Sequence, residues 1–227
     1  MTAAPEPDDP VPGPASVPVP RGRHAPPLEV RVETQRARLF TAAAAVFARV
    51  GYADASAEAV SREAGMSKAT FYEHFANKEE CILALFDRAA EYVMAEMTAA
   101  VGARDEVTDY ALALRRSLGA FLEILAEHPD QAQTLLVQII GAGPRALERR
   151  DAVMDLFGQF LHQDNAALAL RLGCPTFAAP EDAYACIGAI FEVVSRQLRT
   201  GTPADIREVA PTLERVILGV LYVDRIA

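Results

Sequence analysis

The stretch SAEAVSREAGMSKATFYEHFANK, Ser56 to Lys78, decides the fold of this chain. Ser56 has the side chain of a helix N-cap, and Glu58 in the next turn suits the positive end of the helix dipole. A short helix is therefore expected to run to about Ala64, where Ala64-Gly65 closes it. Ser67 repeats the capping signal and starts a second short helix, about Lys68 to Phe75. The two are joined by Gly65-Met66-Ser67, and a three- to four-residue turn containing glycine lets two helices cross steeply. Val60, Ala64, Met66 and Phe71 are the apolar residues available to lock them together. Helices this short hold only through such packing. The pattern is a helix-turn-helix unit. It also contains Lys68 and Lys78, the only lysines among 22 basic residues.

Upstream, Leu39, Ala43, Val46, Phe47 and Val50 recur at three- and four-residue spacing, which predicts a helix from about Glu33 ended by Gly51. Downstream, Ala76-Asn77 breaks the chain and a long helix follows from Lys78 to about Ala103. Five more helices are expected near 106–127, 130–141, 144–172, 180–200 and 203–223. Pro144, Pro180 and Pro203 fit helix starts, and Pro211 predicts a kink or break inside the last. No segment alternates with period two, so the fold class is all-α. The organisation reads as a Pro-rich disordered arm over 1–30, a helix-turn-helix domain over 31–78, and a helical effector-binding and dimerisation domain over 79–227. The arm holds nine of the fifteen prolines. Its basic island Arg21-Gly22-Arg23-His24 is either an ordinary solvated tail or an arm that touches DNA.

The net charge of −9 argues against non-specific nucleic-acid binding. Its distribution qualifies this, because residues 31–80 carry seven basic and seven acidic groups and the excess acid lies mostly beyond them. Three unpaired cysteines, Cys81, Cys174 and Cys186, read as small core residues, not a disulfide framework. The four histidines lack metal-ligand spacing, and no metal or cofactor is expected. No secretory leader or membrane-length apolar run is present, which points to the cytoplasm and away from any membrane partner. Nucleophile, phosphate-loop and paired-carboxylate motifs are absent, so a helical enzyme is disfavoured.

The stretch RARLFTAAAAVFARVGYADASAEAVSREAGMSKATFYEHFANKEECILALF resembles the tetracycline-repressor (TetR) family of bacterial transcription regulators. Phe47 with Gly51-Tyr52, Ala64 through Lys68, Thr70-Phe71-Tyr72, His74-Phe75 and Asn77 through Glu80 fall at the family's spacing. The resemblance covers about residues 33–86. Beyond them only the architecture matches.

Residues near the start of a recognition helix point into the major groove. Lys68 can donate to guanine or to the backbone, Thr70 to a base or a phosphate, and Ala69 can meet a thymine methyl. Ser67, Tyr72 and Lys78 are placed to grip phosphates, as is Ser56 from the preceding helix. The resemblance implies backbone contacts for Tyr72, His74 and Lys78. Phe71 and Phe75 read as core. Glu73 either faces away from the groove or accepts from a cytosine amine. The expected partner is double-stranded operator DNA, palindromic because one short helix reads too few base pairs.

In the body, Ile187, Ile190, Val194 and Leu198 form one apolar stripe, and Leu213, Val216, Ile217 and Val220 another. They face either the chain's own core or a second copy. The resemblance implies a homodimer through these last two helices. It also implies a small-molecule effector in the middle helices, with Phe86, Met94, Phe121, Leu125, Gln138, Phe157, Phe160 and Phe191 as candidate lining. The expected function is a ligand-released repressor. An activator and a ligand-independent DNA-binding protein are the alternatives.

Overall fold

The computed structural model describes residues 27–222. Its elements among these are α1 Leu28–Asp54, α2 Ala57–Glu63, α3 Lys68–His74, α4 Lys78–Val101, α5 Tyr110–Glu127, α6 Pro129–Leu136, α7 Pro144–Leu172, α8 Pro180–Thr200 and α9 Ala210–Leu221. Short 3-10 turns occupy Arg104–Glu106, Gln138–Ala142 and Ile206–Val209. The described residues contain no strand, and none of their helices is long and apolar enough to cross a membrane.

The capping signals act as read. Ser56 Oγ accepts from Ala59 N at 3.1 Å and Ser67 Oγ from Thr70 N at 3.0 Å. Asn77, expected only to break the chain, is itself the N-cap of α4 and accepts from Glu80 N at 2.9 Å. Gly51 (φ 80°, ψ 158°) ends the regular helix as expected, and a short helical turn over 52–54 follows it across the kink. Helix α1 also starts earlier than expected: Leu28, Glu29 and Val30 are helical, not part of an arm. Residues 1–26, with the Arg21–His24 island, lie outside the described residues. The expected helix over 130–141 is shorter and passes into a 3-10 turn after Val137, and the predicted break at Pro211 is real, because α9 begins at Ala210.

Helices α1 to α3 form a head around Phe47, Val60 and Phe71, all fully buried. The rings of Phe40 and Phe75 lie 5.4 Å apart, and the Arg36 guanidinium sits over both. The remaining helices form the body. Helices α7 and α8 pack closely enough that a side chain at Gly158 would press on the Tyr184 backbone at 3.2 Å. Cys81 and Cys186 are buried in the core, and burial pushes the Cys81 thiol up to about 12.

Candidate functional site

The turn between α2 and α3 depends on Gly65, whose φ of +63° disfavours any residue with a Cβ. Met66 N donates to Ser61 O at 2.8 Å, and Arg38 reaches from α1 to donate to Ala64 O at 2.7 Å. With Phe71 buried beneath, α3 is held in one orientation. Its outer face then consists of Lys68, Ala69, Tyr72 and Glu73, all exposed.

Three of the expected DNA contacts, Lys68, Ala69 and Tyr72, thus share a face. Tyr72 is 50% exposed, stands edge-on to Phe71 at 5.6 Å, and its hydroxyl has no partner among the described residues. Ser56 and Ser67 are exposed beside this face, each with its oxygen engaged as a cap. Thr70 is half-buried, and its hydroxyl pairs with that of Ser67 at 2.9 Å. His74 is half-buried, and its Nε2 lies 3.3 Å from Gln35 Oε1, pinning α3 to α1.

Lys78 requires a correction. Its ammonium does not point outward for phosphate. All three of its protons go to backbone carbonyls where α1 ends: Tyr52 O at 2.8 Å, Ala53 O at 2.9 Å and Ala55 O at 2.9 Å. It also sits 4.5 Å above the Tyr52 ring. A helix C-terminus leaves carbonyls without partners, and a cation satisfies them while meeting the negative end of the dipole. Among the described cations of the head, those without an acid, carbonyl or aromatic partner are Arg31, Arg62 and Lys68. Arg62, exposed on the last turn of α2, was missed, since sequence spacing alone cannot separate a paired arginine from a free one.

The body holds an open-mouthed apolar cavity between α4, α5, α6, α7 and α8. Of the expected lining, Phe86, Phe121, Leu125, Phe157 and Phe191 are present. Phe160 instead lines a second cavity, which shares Met97, Leu118, Phe157, Ile187 and Ile190 with the first. Met94 packs against the core without lining either. Gln138 is not in the cavity at all: its Oε1 accepts from Tyr52 N at 3.3 Å, at the corner Lys78 clamps. The polar groups that do line the first cavity, His128 and Gln131, lie beside the exposed Tyr92 and were not anticipated, because they fall at a helix break without periodicity. Tyr110, in the second cavity, has its phenol raised above the usual range by burial, with Asn165 as hydrogen-bond partner opposing this.

Helix α6 links cavity and head. Ala132, Leu135 and Leu136 line the cavity, while Thr134, fully buried, donates to Ala44 O of α1 at 2.9 Å. Arg145, at the start of α7, bridges to Glu79 (3.0 Å) and Glu80 (2.7 Å) at the start of α4.

The expected dimer stripes also need correction. Ile187, Ile190, Val194, Leu213 and Ile217 are buried in this chain's own core, and Ile187 and Ile190 line both cavities. The densest apolar stripe of an amphipathic helix seeks the nearest core, which here is intramolecular. Leu198, Val216 and Val220 are only half-buried and border the outer faces of α8 and α9.

A helix-turn-helix head on an all-helical body with an apolar cavity defines the class of this molecule. Residues 39–85 match the family model described as bacterial regulatory proteins, tetR family, and this part of the chain is similar to those regulators. It is 30% identical over 106 residues to the HTH-type transcriptional activator FasR of Mycolicibacterium smegmatis. That match covers 47% of this chain and 47% of FasR, so it spans about half of the curated relative. Among solved structures, the fatty acid degradation regulator FadR from Bacillus halodurans superposes with a TM-score of 0.73 at 18% identity, covering 82% of this chain and 96% of that one. FadR from Bacillus subtilis, solved in complex with stearoyl-CoA, gives 0.70 at 14%, covering 81% and 98%. PfmR from Thermus thermophilus, a TetR-family regulator, gives 0.62 at 25%, covering 81% and 95%. The FadR likenesses speak for the fold.

Proposed function

We infer that this chain is a cytoplasmic transcription regulator that binds a palindromic operator as a homodimer, acts as a repressor, and is released by a small, largely apolar effector. The observation that carries this is the outer face of α3, where a capped and glycine-hinged helix pair leaves Lys68, Ala69 and Tyr72 turned to solvent. Lys68 and Ala69 reach base edges, Tyr72 and the serine hydroxyls reach phosphates, and two copies supply the two half-sites.

The apolar wall of the cavity selects an apolar chain. Long-chain acyl-CoA is the effector class to test, since a fold relative was solved with stearoyl-CoA. A ligand that displaces Leu135 and Leu136 moves α6, and with it the Thr134–Ala44 and Gln138–Tyr52 contacts at the base of the head. Release follows only as far as the effector prefers the non-binding state of the dimer.

The test is selection of duplexes from a random library by the full-length chain, followed by titration of the bound duplex with stearoyl-CoA. A palindromic consensus released by the acyl-CoA is expected. Failure to enrich any sequence would overturn the DNA-binding reading, and a consensus indifferent to the acyl-CoA would overturn the effector class alone. The relative FasR, named an activator, favours a second reading in which the same contacts recruit transcription. In vitro transcription from the selected site separates the two.

A further inference from the structure

We propose that Glu73 is a specificity-determining residue that accepts from the exocyclic amine of a cytosine in each operator half-site. The inference rests on the DNA-binding role inferred above. At 100° per residue, Ala69 and Glu73 lie 40° apart on adjacent turns, so Glu73 extends the stripe that Ala69 opens. It is exposed together with Lys68, Ala69 and Tyr72, on the side of α3 opposite the buried Phe71. Glu73 therefore does not face away from the groove.

Its carboxylate is also uncommitted. Several acids around the head are paired, Glu33 with Arg88, Glu63 with Arg49, and Glu79 and Glu80 with Arg145, whereas Glu29, Asp54 and Glu58 share the free state of Glu73 among the described residues but lie off α3. Glu73 has no hydrogen-bond or ion-pair partner among the described residues. A free carboxylate carried toward a duplex is repelled by phosphates and by the guanine O6 and N7 and thymine O4 acceptors. It is attracted only where an amine faces it. Adenine sets its N7 acceptor beside its amine, whereas cytosine presents its N4 amine without an acceptor on the same edge. Cytosine is thus the base that a glutamate here selects.

Lys68 and Glu73 are five residues apart, about 7.5 Å along the axis and about 140° around it, so they stand at opposite edges of the exposed face and meet different base pairs of the half-site.

The experiment is parallel selection from a random double-stranded library by the full-length chain, by Glu73→Gln and by Glu73→Ala. Wild type should enrich a cytosine at one symmetric position. Glu73→Gln should move that position to adenine, which glutamine pairs bidentately, with a reversal in relative affinity of roughly tenfold and the rest of the consensus unchanged. Glu73→Ala should lose the preference without gaining another. Both substitutions lie on the surface, so unchanged melting temperatures are expected and confirm folding. If both variants bind every duplex more tightly with the base preference retained, Glu73 only repels the backbone and the proposal is overturned. If wild type itself enriches nothing, the DNA-binding reading falls and the proposal with it, an outcome unlike the first.

Discussion

At the scale of the residue, the lysines show how a charge's partner decides its role. Lys78 lies at a position that resemblance assigns to phosphate, yet its ammonium is saturated by the carbonyls of Tyr52, Ala53 and Ala55. Removing it strands three acceptors at a helix end. Lys78→Met should therefore destabilise the protein by about 2 kcal/mol, the scale of hydrogen bonds to a charged group. It should also weaken operator binding by loosening the α1–α4 corner, while the slope of log affinity against log salt stays unchanged because no phosphate contact is lost. A slope reduced by about one would restore the phosphate role. Lys68 is the converse case, exposed and without a partner. The sequence made the identity of these positions plain through the capping serines and Gly65. It could not show where a four-carbon stem turns, since that depends on carbonyls 23 to 26 residues away.

At the scale of the element, the junction between body and head rests on α6. Thr134 and Gln138 each face α1 and not the cavity. A Thr134→Val, Gln138→Leu double variant keeps the cavity wall intact, so effector affinity should hold within about twofold of wild type, on the order of 0.4 kcal/mol. The effector's ability to weaken operator binding should shrink, because the coupling free energy passes through the removed contacts. Equal coupling in variant and wild type, measured by titrating operator affinity against effector, would exclude this route. A second element is fixed by charge. Arg207 in the turn Ile206–Val209 donates to both carboxylate oxygens of Glu123 on α5, at 2.7 and 2.8 Å. The Arg207 hydrogen bonds hold Glu123 below its usual range, and Asp205 is lowered mainly by the Arg207 backbone N–H. Groups whose folded pKa is depressed contribute stability above their unfolded values, roughly 4, and lose it as pH falls through the lower folded values. The urea midpoints of wild type and Arg207→Leu should differ at pH 7 and converge in acid. Helix order and capping were legible here because they are local. The 3-10 turn after Val137 and the pairing of Gln138 with Tyr52 were not, because they are set by tertiary contact.

At the scale of the whole molecule, the question is which surface joins two copies. The apolar stripes of α8 and α9 were plain in sequence, but periodicity does not say whether a stripe meets its own core or a partner. The structure gives Ile187, Val194, Leu213 and Ile217 to the core, leaving the outer flank of α9 with Arg215, Val216, Gly219 and Val220. Gly219 is informative. It is exposed in the last turn of α9, and a Cβ there would meet nothing within 4 Å among the described residues. Nothing among the described residues calls for a glycine at this position, whereas close approach of a second backbone would. Gly219→Glu should leave the protomer folded, because the side chain enters open space. In the dimer it would face its own symmetry mate, placing two carboxylates in a desolvated contact. The expected outcome is a monomer by light scattering at micromolar concentration, with far-ultraviolet helicity retained and binding to a palindromic duplex reduced to that of a single half-site. A variant that remains dimeric would move the interface away from α9.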